Sequence, residues 1–229
     1  MNKKTAFLTF FLVAIVAVGA TVVVKRSSAK KSVLKPFEAL GTVAAQETAK
    51  LVGGQGALLL VVPDFGGMAN PGFDAQLAAF KKEIQKNSGL SIASVETIQV
   101  GVPDTGGKPK TLKFMEPTAA GRPPVGPQPG QLGQLMANYP QTKAVVYFVD
   151  LPEFNSADVA AVRQQGTKLV AVSDWRPNYK ALFQGNLLQL SVVPRWEPYP
   201  EPGKKPKNMQ DWFDRSYALV TADNVASVP

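Results

Sequence analysis

The feature that most constrains this chain is the run of residues 143–174, which reads as strand, helix, strand. Ala144-Val145-Val146-Tyr147-Phe148-Val149 is continuously apolar and rich in β-branched and aromatic residues, as a parallel strand buried on both faces requires. Asp150 ends it. Asn155, with Asp158 three residues later, then Val159, Val162 and a closing Gly166, has the signature of a capped amphipathic helix with its stop signal. Leu169-Val170-Ala171-Val172 is the next strand. Two parallel strands need a crossover of this length, and the right-handed rule then builds outward into a layered sheet. The expected fold is an α/β three-layer sandwich with a mostly parallel sheet of five to six strands.

Charge decides what the net +8 means. Lys3, Lys4, Lys25, Arg26, Lys30, Lys31 and Lys35 all precede the first acid, Glu38, which leaves 18 bases against 17 acids in the rest of the chain. The folded part is therefore nearly neutral. No basic face for nucleic acid is indicated, and the positive charge belongs to the flanks of an apolar N-terminus.

Cys and His are both absent. That excludes disulfides, thiolate nucleophiles, Ser-His and Cys-His catalytic pairs, imidazole bases and the usual zinc and haem ligands. Gly53-Gly54-Gln55-Gly56 precedes a strand, so it is no phosphate loop, and Gly66-Gly67 lacks the remaining spacing and the Lys. Both are read as turns, and no cofactor motif is found.

Residues 5–24 form a 20-residue run without a charge, long enough as a helix to cross about 30 Å of hydrocarbon. Val18-Gly19-Ala20 would also serve as a signal-peptide cleavage site. The apolar residues 21–24 continue past that site, which favours an uncleaved transmembrane anchor. Counting bases, the C-terminal flank outnumbers the N-terminal one by five to two, which favours a cytoplasmic domain. The short charged tail Met1 to Lys4 resists translocation, and the domain is expected on the extracytoplasmic, periplasmic side. The division that follows is an anchor over 1–26, a basic linker and leading helix over 27–54, and one α/β domain over 55–229.

Within that domain, residues 57–62 are the first buried strand. Asn70 caps a helix with Pro71 at its first position and Phe73, Leu77, Phe80 and Ile84 along its core stripe, terminated by Gly89. A strand is expected at 92–100 and a helix at 131–139. Beyond Asp174, Pro177 opens a short helix closed by Gly185, followed by a strand at 187–193. Asn208 caps a last helix, and residues 217–221 are an edge strand. Pro-rich insertions interrupt the rhythm at about 101–130, where residues 111–115 add a short strand, and at 194–207.

Leu59-Leu60-Val61-Val62-Pro63-Asp64 followed by Asn70-Pro71-Gly72-Phe73 resembles the start of the first lobe of type I periplasmic sugar-binding proteins. Residues 143–174 resemble a later part of that lobe, with the second strand placed as the family's Gly, small or Ile, Pro-Val-Val run would be. The resemblance covers about half the chain and implies a fold. Lys168 replaces the family's Pro, Gly72 stands where its first aromatic would be, and the length suffices for one lobe where the family uses two, so no binding residues are carried over.

Asp64, Asp150 and Asp174 each follow an expected parallel strand and so belong along the carboxyl edge of the sheet, where open α/β folds bind ligands. They read as a polyol- or magnesium-binding cluster, or as turn and cap residues. The lack of phosphatase- or receiver-type motifs around them favours turns. Arg122, Pro124 and Pro127 form a Pro-x-x-Pro stretch that a grooved partner could read, and Trp196, Tyr199 and Trp212 are aromatics suited either to a partner or to the domain itself. Three functions follow. The leading one is a non-catalytic, membrane-anchored accessory subunit contacting other subunits of a membrane complex. The alternatives are a single-lobe module for a small polar ligand and a magnesium-dependent carboxylate enzyme.

Overall fold

The computed structural model describes residues 32–100, 127–172, 176, 178–198 and 204–229. The strands are β1 (Gly56–Asp64), β2 (Leu90–Gln99), β3 (Thr142–Tyr147), β4 (Lys168–Val172), β5 (Leu188–Pro194) and β6 (Tyr217–Val220). They form one sheet in the order β2-β1-β3-β4-β5-β6, parallel throughout except for β6, which runs antiparallel to β5 at the edge. The helices are α1 (residues 32–51), α2 (Pro71–Gln85), α3 (Gln131–Asn138), α4 (Ser156–Gln165), α5 (Tyr179–Gln184) and α6 (Met209–Ser216).

Alternation along the strands feeds two cores. Leu58, Leu60, Val62, Val146, Val170 and Val192 face α1, α2 and α6; Leu59, Val61, Val145, Tyr147 and Leu169 face α3, α4 and α5. Burying each such side chain contributes about 1.5–3 kcal/mol, which explains why the central strands carry no polar face. The edge strand β2 is correspondingly half exposed.

Helix α1, which the sequence places ahead of the domain, is an integral layer of it. Ala39, Leu40, Val43, Ala44 and Ala45 are all buried. Gly41 makes this packing possible, because a Cβ there would sit 2.0 Å from the carbonyl oxygen of Gln76 in α2. The contacts advance together along both helices: Phe37 lies against Gly72, Gly41 against Gln76, and Gln46 donates a 3.0 Å hydrogen bond to Glu83. α1 therefore runs parallel to α2, and both start at the carboxyl edge of the sheet.

Local signals are read closely by the chain. Asn70 accepts the Phe73 N–H at 3.1 Å, and Asn208 that of Asp211 at 2.8 Å. Asn155 and Asp158 form a complete capping box, and Gly166 closes α4 in the left-handed region at φ 63°. Two expectations shift. α2 stops at Gln85, ahead of Gly89, and Gly89 instead takes part in the turn into β2, its carbonyl accepting the Gly56 N–H. α5 begins at Tyr179 behind Asn178 and ends at Gly185 with φ −76°, without a left-handed cap. The expected membrane anchor at 5–24, the strand at 111–115 and Pro177 lie outside the described residues. Among the described residues no helix is long and apolar enough to cross a membrane.

Candidate functional site

The chain proceeds from β1 to β2 on one side and from β3 onward on the other, so the strand order reverses between β1 and β3. At such a switch point the loops leaving two neighbouring strands diverge to opposite faces, and a crevice opens beyond their carboxyl ends. Val61 lies opposite Tyr147, and the Phe148 N–H continues the ladder by donating to the Val61 carbonyl at 2.8 Å. Asp64, the last residue of β1, and Asp150, in the loop after β3, each lie three positions beyond that pair, at the carboxyl ends of the two neighbouring strands.

Their chemistry differs. Asp64 is exposed, and its Oδ1 accepts the N–H of Gly66 at 2.8 Å, organising a turn in which Gly66 and Gly67 hold positive φ. Asp150 is ion-paired to the guanidinium of Arg176, from the loop after β4, with side-chain exposures of 42% and 51%. Such a surface pair contributes at most about 1 kcal/mol to stability. Beneath them the Leu151 N–H donates to the Tyr179 hydroxyl at 3.4 Å. Asp174 lies outside the described residues, and among the described residues no three acidic side chains converge as a metal site would need.

An aromatic ladder descends from the same edge into the core. Phe65 meets Phe73 edge-to-face at 5.6 Å, Phe73 meets Phe148 at 6.1 Å, and Phe148 meets the fully buried Phe80 at 5.2 Å. Phe65 and Phe73 are half buried, so this end of the ladder reaches the surface next to Asp64. Arg176 and Phe65 are not among the sequence-derived candidates. The signal for each was position: Phe65 directly follows Asp64, and Arg176 stands two residues after Asp174.

The partner-contact candidates scatter. Trp212 packs partly buried against the core under α1 and α2, and Trp196 against the opposite core. Pro127 is half exposed ahead of α3, while Arg122, Pro124 and Tyr199 lie outside the described residues. A shallow groove of about 400 Å³ lies at the far, amino edge, lined by residues of α1 and the end of α2. Its one carboxylate, Glu83, is internally engaged. Burial pushes it up, but hydrogen bonds from Lys86 and Gln46 outweigh that and hold it below its ordinary range. The carboxyl edge is the better site.

No protein-family model matches the sequence, and no curated protein does. Solved structures are similar over most of the chain. A glucose-galactose binding protein from Geobacillus stearothermophilus shares 11% identity over 82% of this chain and 61% of its own, with a TM-score of 0.47. A solute-binding protein from Burkholderia graminis in complex with D-arabinose shares 14% over 83% and 61%, with a TM-score of 0.49. One from Bacillus halodurans with bound myo-inositol shares 15% over 82% and 58%, with a TM-score of 0.46. The chain thus spans about three fifths of the length of these structures.

Proposed function

We propose that this protein is a non-catalytic, single-lobe module that binds a small polyhydroxylated ligand at the carboxyl edge, at the β1/β3 switch point. The observation that carries the reading is the placement there of Asp64, the exposed Asp150–Arg176 pair and the surfacing end of the Phe65–Phe73 ladder. A polyol presents hydroxyl donors to carboxylates, lone pairs to a guanidinium, and an apolar C–H face to an aromatic ring. The resemblance to one lobe of the sugar-binding family supports the same reading. The uncharged run at 5–24 would tether the module to a membrane.

Thermal shift against a panel of pentoses, hexoses, inositols and nucleosides tests this. A ligand present at one hundred times its dissociation constant stabilises by about 2.7 kcal/mol, or roughly 5–10 °C for a domain of this size. A shift with one chemical class supports the proposal. No shift with any compound refutes it.

A further inference from the structure

The parallel run of α1 beside α2 has a consequence for orientation. α2 follows β1 directly and so begins at the carboxyl edge, and the pairing of Phe37 with Gly72 puts the start of α1 at the same end. Only seven residues, 25–31, separate the uncharged run 5–24 from the first described residue of α1. Fully extended, they reach at most about 25 Å. α1 itself extends about 30 Å from that point to the amino edge, at 1.5 Å per residue over residues 32–51.

Two further observations fall at the same end. The large hydrophobic side chains exposed among the described residues are Val33, 68% exposed in the first turn of α1, and Met68, 59% exposed in the β1–α2 loop. Both are carboxyl-edge residues, whereas the amino edge presents Lys50, Lys86, Asn87 and Ser88. Between the uncharged run and α1 lie Lys25, Arg26, Lys30 and Lys31, with no acid among them. Each basic residue near an anionic lipid surface contributes about 1 kcal/mol of attraction, so an anionic bilayer favours close approach of this end of the chain.

We infer that the carboxyl edge of the sheet faces an anionic lipid surface, with Val33 and Met68 at the headgroup boundary. The inference rests on the anchor reading of residues 5–24. It makes the candidate ligand edge membrane-proximal: a ligand reaches Asp64 and Asp150 through the gap between domain and bilayer, while the amino edge looks away from it.

The absence of native cysteine allows single labels to be placed cleanly. The full chain is reconstituted in vesicles of phosphatidylcholine and phosphatidylglycerol carrying a headgroup-proximal nitroxide lipid. M68C, V33C and the exposed amino-edge S88C are each labelled with an environment-sensitive fluorophore. Quenching at M68C and V33C at least about threefold stronger than at S88C, falling when phosphatidylglycerol is omitted, is the expected result. Equal quenching at the three positions, or strongest quenching at S88C, overturns the orientation. Release of the full chain from membranes by alkaline carbonate overturns the anchor, and the inference with it. Neither result bears on polyol binding, which the thermal-shift panel reads independently.

Discussion

Asp158 is fully buried, yet it is a carboxylate in the middle of a helix–helix contact. Its Oδ2 accepts the N–H of Gly130 at 2.7 Å and that of Asn155 at 3.1 Å, and its Oδ1 accepts the N–H of Gly133 at 2.8 Å. One side chain thereby satisfies donors at the starts of both α3 and α4, where the helix dipoles favour negative charge. Hydrogen bonds to a charged group contribute about 1.5–3 kcal/mol each, so three give roughly 5–9 kcal/mol before offsets. The cost of holding a carboxylate out of water, and water entering the vacated space in a variant, reduce this. Asp158→Ala is expected to lose about 3–5 kcal/mol, close to what breaking a buried charged network costs elsewhere. For a chain of this size that is a fall of about 6–20 °C in melting temperature. Asp158→Asn keeps one acceptor but turns an amide donor toward backbone N–H groups, and should lose about half as much. Thermal melts of the full chain in mild detergent, followed by far-UV circular dichroism, measure both. A loss under about 1 kcal/mol for Asp158→Ala would show that water replaces the carboxylate and that the α3–α4 contact does not depend on it.

Other perturbations follow from the same geometry. Gly41→Ala forces α1 away from the Gln76 carbonyl, an overpacking cost of about 1–3 kcal/mol that exceeds the roughly 1 kcal/mol gained in helix propensity; urea unfolding should show a net loss, and a gain would mean that α1 is not seated on α2. Tyr147 is pushed above the ordinary phenol range by burial and, secondarily, by the negative charge of Asp158, and Tyr217 by burial. A raised folded-state value means that this stability is fully present below about pH 10 and is lost as pH rises beyond it, so melting temperature should fall from pH 9 to 11 and fall less in Tyr147→Phe. Arg176→Ala should change stability by under about 1 kcal/mol while abolishing the thermal shift from any ligand found, since an exposed ion pair contributes little to the fold.

How much of this was legible in the sequence depends on range. β1, β3, β4 and β5 announce themselves because strands buried on both faces are apolar throughout, and the helix starts at Asn70, Asn155 and Asn208 because capping is a contact over three residues. Strand order is not local: nothing along the chain says that β3 pairs with β1 instead of β2, so the placement of Asp64 and Asp150 at the ends of neighbouring strands emerges only with the sheet. α1 was misplaced for a related reason. Its buried surface mixes Leu40 and Val43 with Ala39, Gly41, Ala44 and Ala45, small residues whose close approach to α2 carries little hydrophobic signal. Arg176 was hidden because its partner is 26 positions away. Phe73 was legible as core but not as part of a ladder reaching the surface, since that depends on where Phe65 turns.

The central claim is that the carboxyl edge at the β1/β3 switch point binds a polyol, and ligand-dependent hydrogen exchange locates binding directly. With a saturating ligand from the panel, slowed exchange should concentrate in the segments leaving β1 and β3, residues 64–73 and 148–152, and in the loop around Arg176, and leave the amino-edge residues 46–50 and 86–89 unchanged. Protection centred on the amino edge, or spread evenly over the sheet, would contradict the account.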